Sequence, residues 1–346
     1  MGTAEPDGDE PHRATIRDVA RAVGVSQSTT ARALSGEGYV AGPVRERVLA
    51  AAEQLGYVPH AMASSLRKQK SGSIGVLVSG LRDPFYADLA AGVAKAARDN
   101  GYTMILVDDR GDPTEEREAA TVFVGMRLAG VIVTPVSADV STFLLRQRIP
   151  VVEADRTFSA GSCDSVLIDN AGASRRVTEH LLDLGHQRIA LLIDETNWTT
   201  GADRVAGYRQ ALENSRPSLP PILVQAGSDV GGAKSAAVNL LAGRDRPTAV
   251  FTANSVLAEG VWRAASDLGL RVPEDVSIAS FDDAGWMSMV NPGLTAVAQD
   301  AVALGAAAMT RLLARIQDPG APIETVVLDA AILPRGSTST PRSVNA

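Results

Sequence analysis

Between residues 15 and 57, apolar positions recur at helical spacing in three short blocks. Ile16, Val19, Ala20 and Val23 form the first stripe, entered through Thr15, whose hydroxyl suits free helix amides, with Asp18 near the positive helix end. Gly24 breaks the helix, and Ser26 is the N-cap of a second, polar helix over 27–34. A glycine-rich loop over 37–42 leads to Pro43, which suits the first turn of a third helix. Val44, Val48, Ala51, Ala52 and Leu55 are its expected buried face, and Gly56 and Pro59 stop it. From Ser73 the pattern changes to short strand-like apolar runs separated by longer helical segments. Strands are expected at 74–78, 103–107, 131–134, 151–152, 166–168, 189–193, 222–224, 249–252 and 278–280. Helices are expected at 84–100, 113–127, 139–147, 171–184, 202–214, 232–241, 255–268 and 304–316. The alternation predicts parallel sheets covered by helices, in two runs and hence two lobes, with ligands bound beyond the carboxyl ends of the strands.

Charge divides the chain at the same place. The net charge is -7 over 346 residues, but residues 12–70 hold nine basic residues against four acidic ones, while the first eleven hold four acids and no base. A basic module joined to an acidic body indicates a polyanionic partner for the module. A glycine-broken pair of short helices, the second exposing hydrogen-bond donors, can lay that second helix in a DNA major groove. Two amphipathic helices joined by a glycine also occur in many helical domains. The single cysteine, Cys163, permits no intrachain disulfide, and no apolar run reaches the ~18 residues that span a bilayer. With no signal-peptide pattern at the start, a cytoplasmic protein without membrane contact is expected.

The run Thr15-Ile-Arg-Asp-Val-Ala-Arg-Ala-Val-Gly-Val-Ser26, followed by Thr29, Arg32, Ala33-Leu34, Tyr39-Val40, Arg45-Glu-Arg-Val48, Leu55-Gly-Tyr57 and Pro59, resembles the headpiece of LacI/GalR-family bacterial repressors. The resemblance implies a small all-α helix-turn-helix headpiece over 13–59, behind an acidic tail at 1–12 with no expected fold. It implies Gln27, Ser28 and Arg32 at base edges and Thr15, Ser26 and Thr29 on phosphates. Side-chain chemistry agrees: glutamine pairs with adenine, arginine with guanine, and hydroxyls suit phosphate oxygens. Thr30 and Ala31 stand where the family usually has Val and Ser, so one contact is expected to differ.

Residues 60–72 read alone as a linker with a basic end; beside the headpiece they resemble the family's hinge helix. That implies Leu66 wedged into the minor groove, Ala63 packed against its counterpart in a second copy, and His60 in place of the usual Asn.

The body is similar to the family's effector domain in Asp169-Asn-Ala-Gly172, His180-Leu-Leu182, Leu184-Gly-His186, Arg204-Val-Ala-Gly-Tyr208, Phe281-Asp-Asp283 and Arg335-Gly-Ser-Thr338. The implied fold over 73–338 is a two-lobed α/β domain like type I periplasmic binding proteins, with a tail at 339–346. Its lobes are discontinuous, at about 73–168 plus 299–327 and 169–298 plus 328–338. The family's effector positions fall on Asp83, Phe85, Tyr86, Asp169, Arg204, Asn254 and Asp282. Carboxylates and a guanidinium suit a polyhydroxylated ligand, and Phe85 or Trp198 can stack on a sugar ring. Asp83 and Asp169 equally suit helix N-caps. Ser255, where the family has Asp, and the lack of its usual aromatic near Gly227 leave the ligand's identity open.

The expected function is therefore a sequence-specific DNA-binding regulator, a repressor of a catabolic operon. Its expected partners are a pseudo-palindromic double-stranded operator, a carbohydrate effector and a second copy of the chain. No cofactor or metal is expected: there is no phosphate loop, no nucleotide-binding glycine fingerprint and no nucleophile elbow, and the four histidines lack ligand spacing. An enzyme on the same fold class lacks those motifs, and an exported sugar-binding protein would lack the basic module. The tail carries no apolar heptads, which predicts a dimer rather than a larger assembly.

Overall fold

The computed structural model describes residues 14–36, 38–57, 72–159 and 161–342. The chain forms two compact units that divide at Ser71 and Gly72. The expected hinge residues His60, Ala63 and Leu66 lie outside the described residues.

The first unit is three helices, α1 (Ile16–Val23), α2 (Gln27–Ser35) and α3 (Gly42–Gln54). Gly24 takes a left-handed φ of 71°, which lets the chain turn between α1 and α2. Val19, Val23, Ala33, Val48 and Ala52 form the core, and an Arg47 guanidinium N–H donates to the Val23 carbonyl at 2.6 Å, tying α3 to the end of α1. Leu55 departs from expectation: it lies past the last turn of α3 and is 42% exposed.

The second unit holds two six-stranded sheets. The first lobe contains β1 (Ser73–Val78), α4 (Pro84–Asp99), β2 (Thr103–Asp108), α5 (Pro113–Gly125), β3 (Val131–Val133), α6 (Asp139–Arg146), β4 (Val151–Ala154) and β5 (Asp164–Ile168). The second contains α7 (Asn170–Asp183), β6 (Ile189–Ile193), α8 (Thr199–Asn214), β7 (Ile222–Gln225), α9 (Val230–Leu241), β8 (Ala249–Thr252), α10 (Ser255–Asp267), β9 (Ser277–Phe281) and β10 (Thr295–Gln299). The chain then returns to the first lobe with α11 (Ala301–Gln317) and β11 (Thr325–Leu328), and finishes in the second with β12 (Ala330–Leu333).

Strand order in the first sheet is β11-β5-β4-β3-β1-β2, parallel throughout; in the second it is β12-β10-β9-β8-β6-β7, with only β12 antiparallel. Burial on both faces explains the near-continuous apolar strands. On β1, Ile74, Val76 and Val78 pack toward α4, while Leu77 joins Phe123, Leu128 and Leu144 on the opposite face. Helices over the sheets meet through small residues. A Cβ at Gly92 or Gly305 would stand 2.1 Å from a carbonyl oxygen across the α4–α11 contact, and one at Gly207 would stand 2.0 Å from the Ala171 oxygen across α7–α8. No helix among the described residues is long and apolar enough to cross a membrane.

Candidate nucleic-acid interface and effector cleft

In the first unit, Gln27, Ser28 and Arg32 are exposed, and their spacing sets them along one side of α2. Ser26 caps that helix: its hydroxyl accepts from the Thr29 amide at 3.1 Å and lies 2.9 Å from the Thr29 hydroxyl. Three amides at the start of α2 have no carbonyl partner within the helix, so the pair Ser26 and Thr29 sits at the end that attracts anions. Thr15 is exposed, but its hydroxyl and amide both donate to the Asp18 carboxylate, at 2.6 and 3.0 Å, which restrains it. Arg32 Nε donates to the Ser28 carbonyl at 3.3 Å, a weak bond that leaves the guanidinium terminus outward. Thr30 does not belong to this surface. It is fully buried, with its hydroxyl donating to the Ser26 carbonyl at 3.0 Å, so its exchange for the family's Val alters the core and not a DNA contact.

In the second unit, strand ends of both lobes converge on one cluster. Asp83 starts α4 in the first lobe, and its Oδ1 accepts from the Phe85 amide at 3.0 Å. Phe85 and Tyr86 follow, nearly buried, with their rings edge to face at 5.2 Å. Asp155 and Arg156 stand just past β4, where Asp155 adopts a left-handed φ of 70°. The buried Glu153 fixes this turn by accepting from the amides of Phe158 and Ser159 at 3.1 and 3.2 Å. Arg156 is only 1% exposed; it lies 3.4 Å from the Asp155 carboxylate, donates to the Tyr86 hydroxyl and stacks on Trp198 at 3.9 Å.

Trp198 belongs to the other lobe, at the start of α8, so its contact with Arg156 joins the two. Thr157 and Thr199 add a second junction, with the Thr157 amide donating to the Thr199 hydroxyl at 3.3 Å. Arg204, further along α8, donates to Asn170 Oδ1 at 2.9 Å and to the Ala253 carbonyl at 2.6 Å, and covers the Phe281 ring at 3.8 Å. Asp282 follows Phe281 with a left-handed φ of 65° and accepts from the Gln299 amide group. Asn254 caps α10 through the Leu257 amide at 2.9 Å and donates to Asp194 at 3.2 Å.

Burial, and secondly the Asp282 charge, push the Asp83 carboxyl up to about 7. Burial raises Asp282, Asp155 and Asp194 as well, with Arg204 pulling Asp282 and Asp194 back and Arg156 doing so for Asp155. Asp109, buried beside this cluster, is raised by burial to about 7. Four polar atoms in and beside the cluster are buried without a hydrogen-bond partner: Arg156 Nε and Nη1, Gln299 Oε1 and Asp109 Oδ2.

Seven of the eight expected effector positions are thus found at the cluster or on the elements that frame it. Asp169 is the exception. It caps α7 through the Gly172 amide at 2.8 Å and its carboxylate is 57% exposed, while the neighbouring Asn170 turns inward to Arg204. Sequence reasoning missed Arg156, Asp155, Asp194 and Gln299; the only signal was a charged pair directly after an apolar run. A separate cavity of about 360 Å³ lies between the ends of α7 and α8, lined by Glu179, Asp183, His186 and Arg216, and no described polar side chain there is buried without a partner. No group of three or more metal-ligating side chains occurs among the described residues.

Comparison with known proteins bears on both units. Residues 15–60 match the model of bacterial regulatory proteins of the lacI family, and residues 178–338 that of a periplasmic binding protein-like domain. The chain is 30% identical to the ribose operon repressor of Haemophilus influenzae, over 94% of this chain and 98% of that one. It is also 30% identical to the transcriptional repressor PurR of Klebsiella pneumoniae, over 94% and 97%. Among solved structures, the Lac repressor dimer bound to operator and the anti-inducer ONPF superposes with a TM-score of 0.85 at 27% identity, covering 95% of this chain and all of that one. A LacI-family regulator from Enterococcus faecium with bound ribose gives 0.70 at 29% identity, over 78% and 99%. Identity of this extent over nearly the whole chain, with both units matched in order, places the protein in the LacI family of bacterial transcriptional regulators.

Proposed function

We propose that the protein is a repressor that binds a pseudo-palindromic operator as a homodimer and is controlled by a carbohydrate held between the lobes of its second unit. On the DNA side, Gln27, Ser28 and Arg32 read base edges while Thr15, Ser26 and Thr29 hold phosphates, with His60, Ala63 and Leu66 serving the hinge. On the effector side, Asp83, Phe85, Tyr86, Arg156, Trp198, Arg204, Asn254 and Asp282 form the contact set. The carrying observation is that Arg156 Nη1 and Gln299 Oε1, one from each lobe, are buried without partners. Such groups cost free energy unless something satisfies them. A hydroxyl both donates and accepts, so a polyol answers a free N–H and a free carbonyl oxygen together. A similar regulator with bound ribose and another in complex with cellobiose support a sugar as the effector.

Selection from a random double-stranded DNA library with the full chain, repeated with and without ribose, tests this reading. The expected product is an inverted repeat, bound with a steep inverse dependence on salt. Arg32→Ala should lower the affinity for the selected repeat about 10-fold or more while leaving the melting curve unchanged. Enrichment of no inverted repeat would overturn it.

A further inference from the structure

The function proposed above leaves the acidic residues ahead of the headpiece without a role. Glu5, Asp7, Asp9 and Glu10 put four negative charges and no positive one into the first eleven residues, beside a unit with the opposite excess. The headpiece does not neutralise its own cations. Asp18 lies 3.5 Å from Arg21, but among the described residues Arg17, Arg32, Arg45 and Arg47 have no carboxylate partner. Arg32, Arg45 and Arg47 reach only the backbone carbonyls of Ser28, Gly38 and Val23, and Arg17 and Arg32 are exposed. The acidic residues are also attached at the edge of the DNA face, since Thr15 at the start of α1 belongs to it. Extended chain spans about 3.5 Å per residue, so Glu10 can reach about 17 Å and Glu5 about 35 Å from Thr15. The eight residues of α1 extend only about 12 Å, which brings the exposed start of α2 at Ser26 and Gln27 within that reach.

We propose that residues 5–10 are a tethered competitor of DNA: their carboxylates take the phosphate places at the start of α2 and beside Arg17 and Arg32, and any duplex must displace them. The inference rests on the DNA-binding reading above. A carboxylate offers a hydroxyl, a free helix amide or a guanidinium the same acceptor oxygens that a phosphate does. Each exposed pair is weak, but four carboxylates on one short tether act at the millimolar effective concentration of a linked ligand. The contact is electrostatic, so salt releases it as salt also weakens DNA binding. Because the competitor acts on the unbound headpiece, it lowers the affinity for every duplex by the same factor and leaves the ranking of sequences unchanged.

The test compares the full chain with a variant carrying Glu5→Gln, Asp7→Asn, Asp9→Asn and Glu10→Gln, which keeps the length and polarity of the segment. Affinity for a mixed-sequence duplex of about 30 base pairs is measured at about 50 and about 300 mM salt. The variant should bind about 5-fold or more tighter at low salt and nearly equally at high salt, with a salt slope steeper by about 1–3. Repulsion without docking would also weaken binding, so a fluorophore on Ala4→Cys reads the contact itself. Cys163 stays unlabelled, because it is buried and burial pushes its thiol up to about 12. Without DNA, the label's anisotropy should fall as salt rises from about 50 to about 300 mM, and should be low throughout in the neutralised variant. Equal affinities at low salt, or an anisotropy that salt does not change, would overturn the competitor and leave the DNA-binding reading intact. If neither chain bound the duplex at low salt, both would fall.

Discussion

Replacing Arg156 with methionine keeps most of the side-chain volume and removes the cation that joins the lobes. Three contacts are lost. The stacking of a buried guanidinium on Trp198 at 3.9 Å is worth up to ~2 kcal/mol, and the charged hydrogen bond to Tyr86 about 1.5–3 kcal/mol. The ion pair with Asp155 also goes, but burial already raises that carboxyl, so it can take up a proton instead of remaining an unpaired charge. Against these losses, Nη1 is buried without a hydrogen-bond partner, and removing it recovers roughly 1–3 kcal/mol of desolvation. The balance is a loss of about 2 kcal/mol. For a domain of this size that lowers the Tm by roughly 4–8 °C. Differential scanning calorimetry of the full chain, with and without a bound sugar, measures both consequences. The variant should melt lower and should lose the stabilisation that the ligand confers on the wild type. An unchanged Tm together with a retained ligand shift would refute the account of Arg156 as the bridge between the lobes.

Two further outcomes follow from the packing and from the buried acids. Gly207→Ala places a methyl 2.0 Å from the Ala171 carbonyl oxygen, so α7 and α8 must separate. The expected cost is about 2–3 kcal/mol in urea unfolding, with weaker sugar binding because α8 carries Trp198 and Arg204. The Asp83 carboxyl, at about 7 in the fold, lies above the ~3.9 of an unfolded aspartate, so the fold favours its neutral form. Its stabilising contribution is complete below about pH 4 and is lost as pH rises through 7, by at most about 4 kcal/mol. Tm measured from pH 4.5 to 8 should therefore fall less steeply in Asp83→Asn than in the wild type; parallel curves would contradict this, and the slope that remains belongs partly to Asp109.

Local patterns made the helix-turn-helix and most of the sheets readable. Capping residues, glycine stops and apolar periodicity act over a few residues, and they located α1 to α3 and β1 to β9 closely. The last three strands were not foreseen. β10 is built largely from small residues, and β11 and β12 are short apolar stretches separated by Asp329 alone, so nothing local assigns them to the rims of two different sheets. α8 begins at Thr199, before its apolar stripe is visible, because the turn at Trp198 is fixed by the opposite lobe. The site was legible only where a helix start marked it, as at Asp83 and Asn254. Arg156 and Gln299 acquire their meaning from lobes joined across more than a hundred residues of chain, and no local pattern encodes that. Asp169 and Asn170 show the limit within one motif: both are polar, and only the path of the chain into α7 decides which faces Arg204.

The return of α11 and β11 to the first sheet sets an order on synthesis. Leu89 and Gly92 of α4 await Val302 and Gly305, which leave the ribosome only after all of the second lobe's strands but β12. At typical elongation rates of about 5–20 residues per second, some tens of seconds separate the two halves of that helix contact. The three headpiece helices close over a short stretch and need nothing downstream. A nascent chain therefore carries a folded DNA reader well before it has a finished sensor. Chains truncated before residue 301 would leave the α4 face bare, a surface for chaperones to hold until translation is complete.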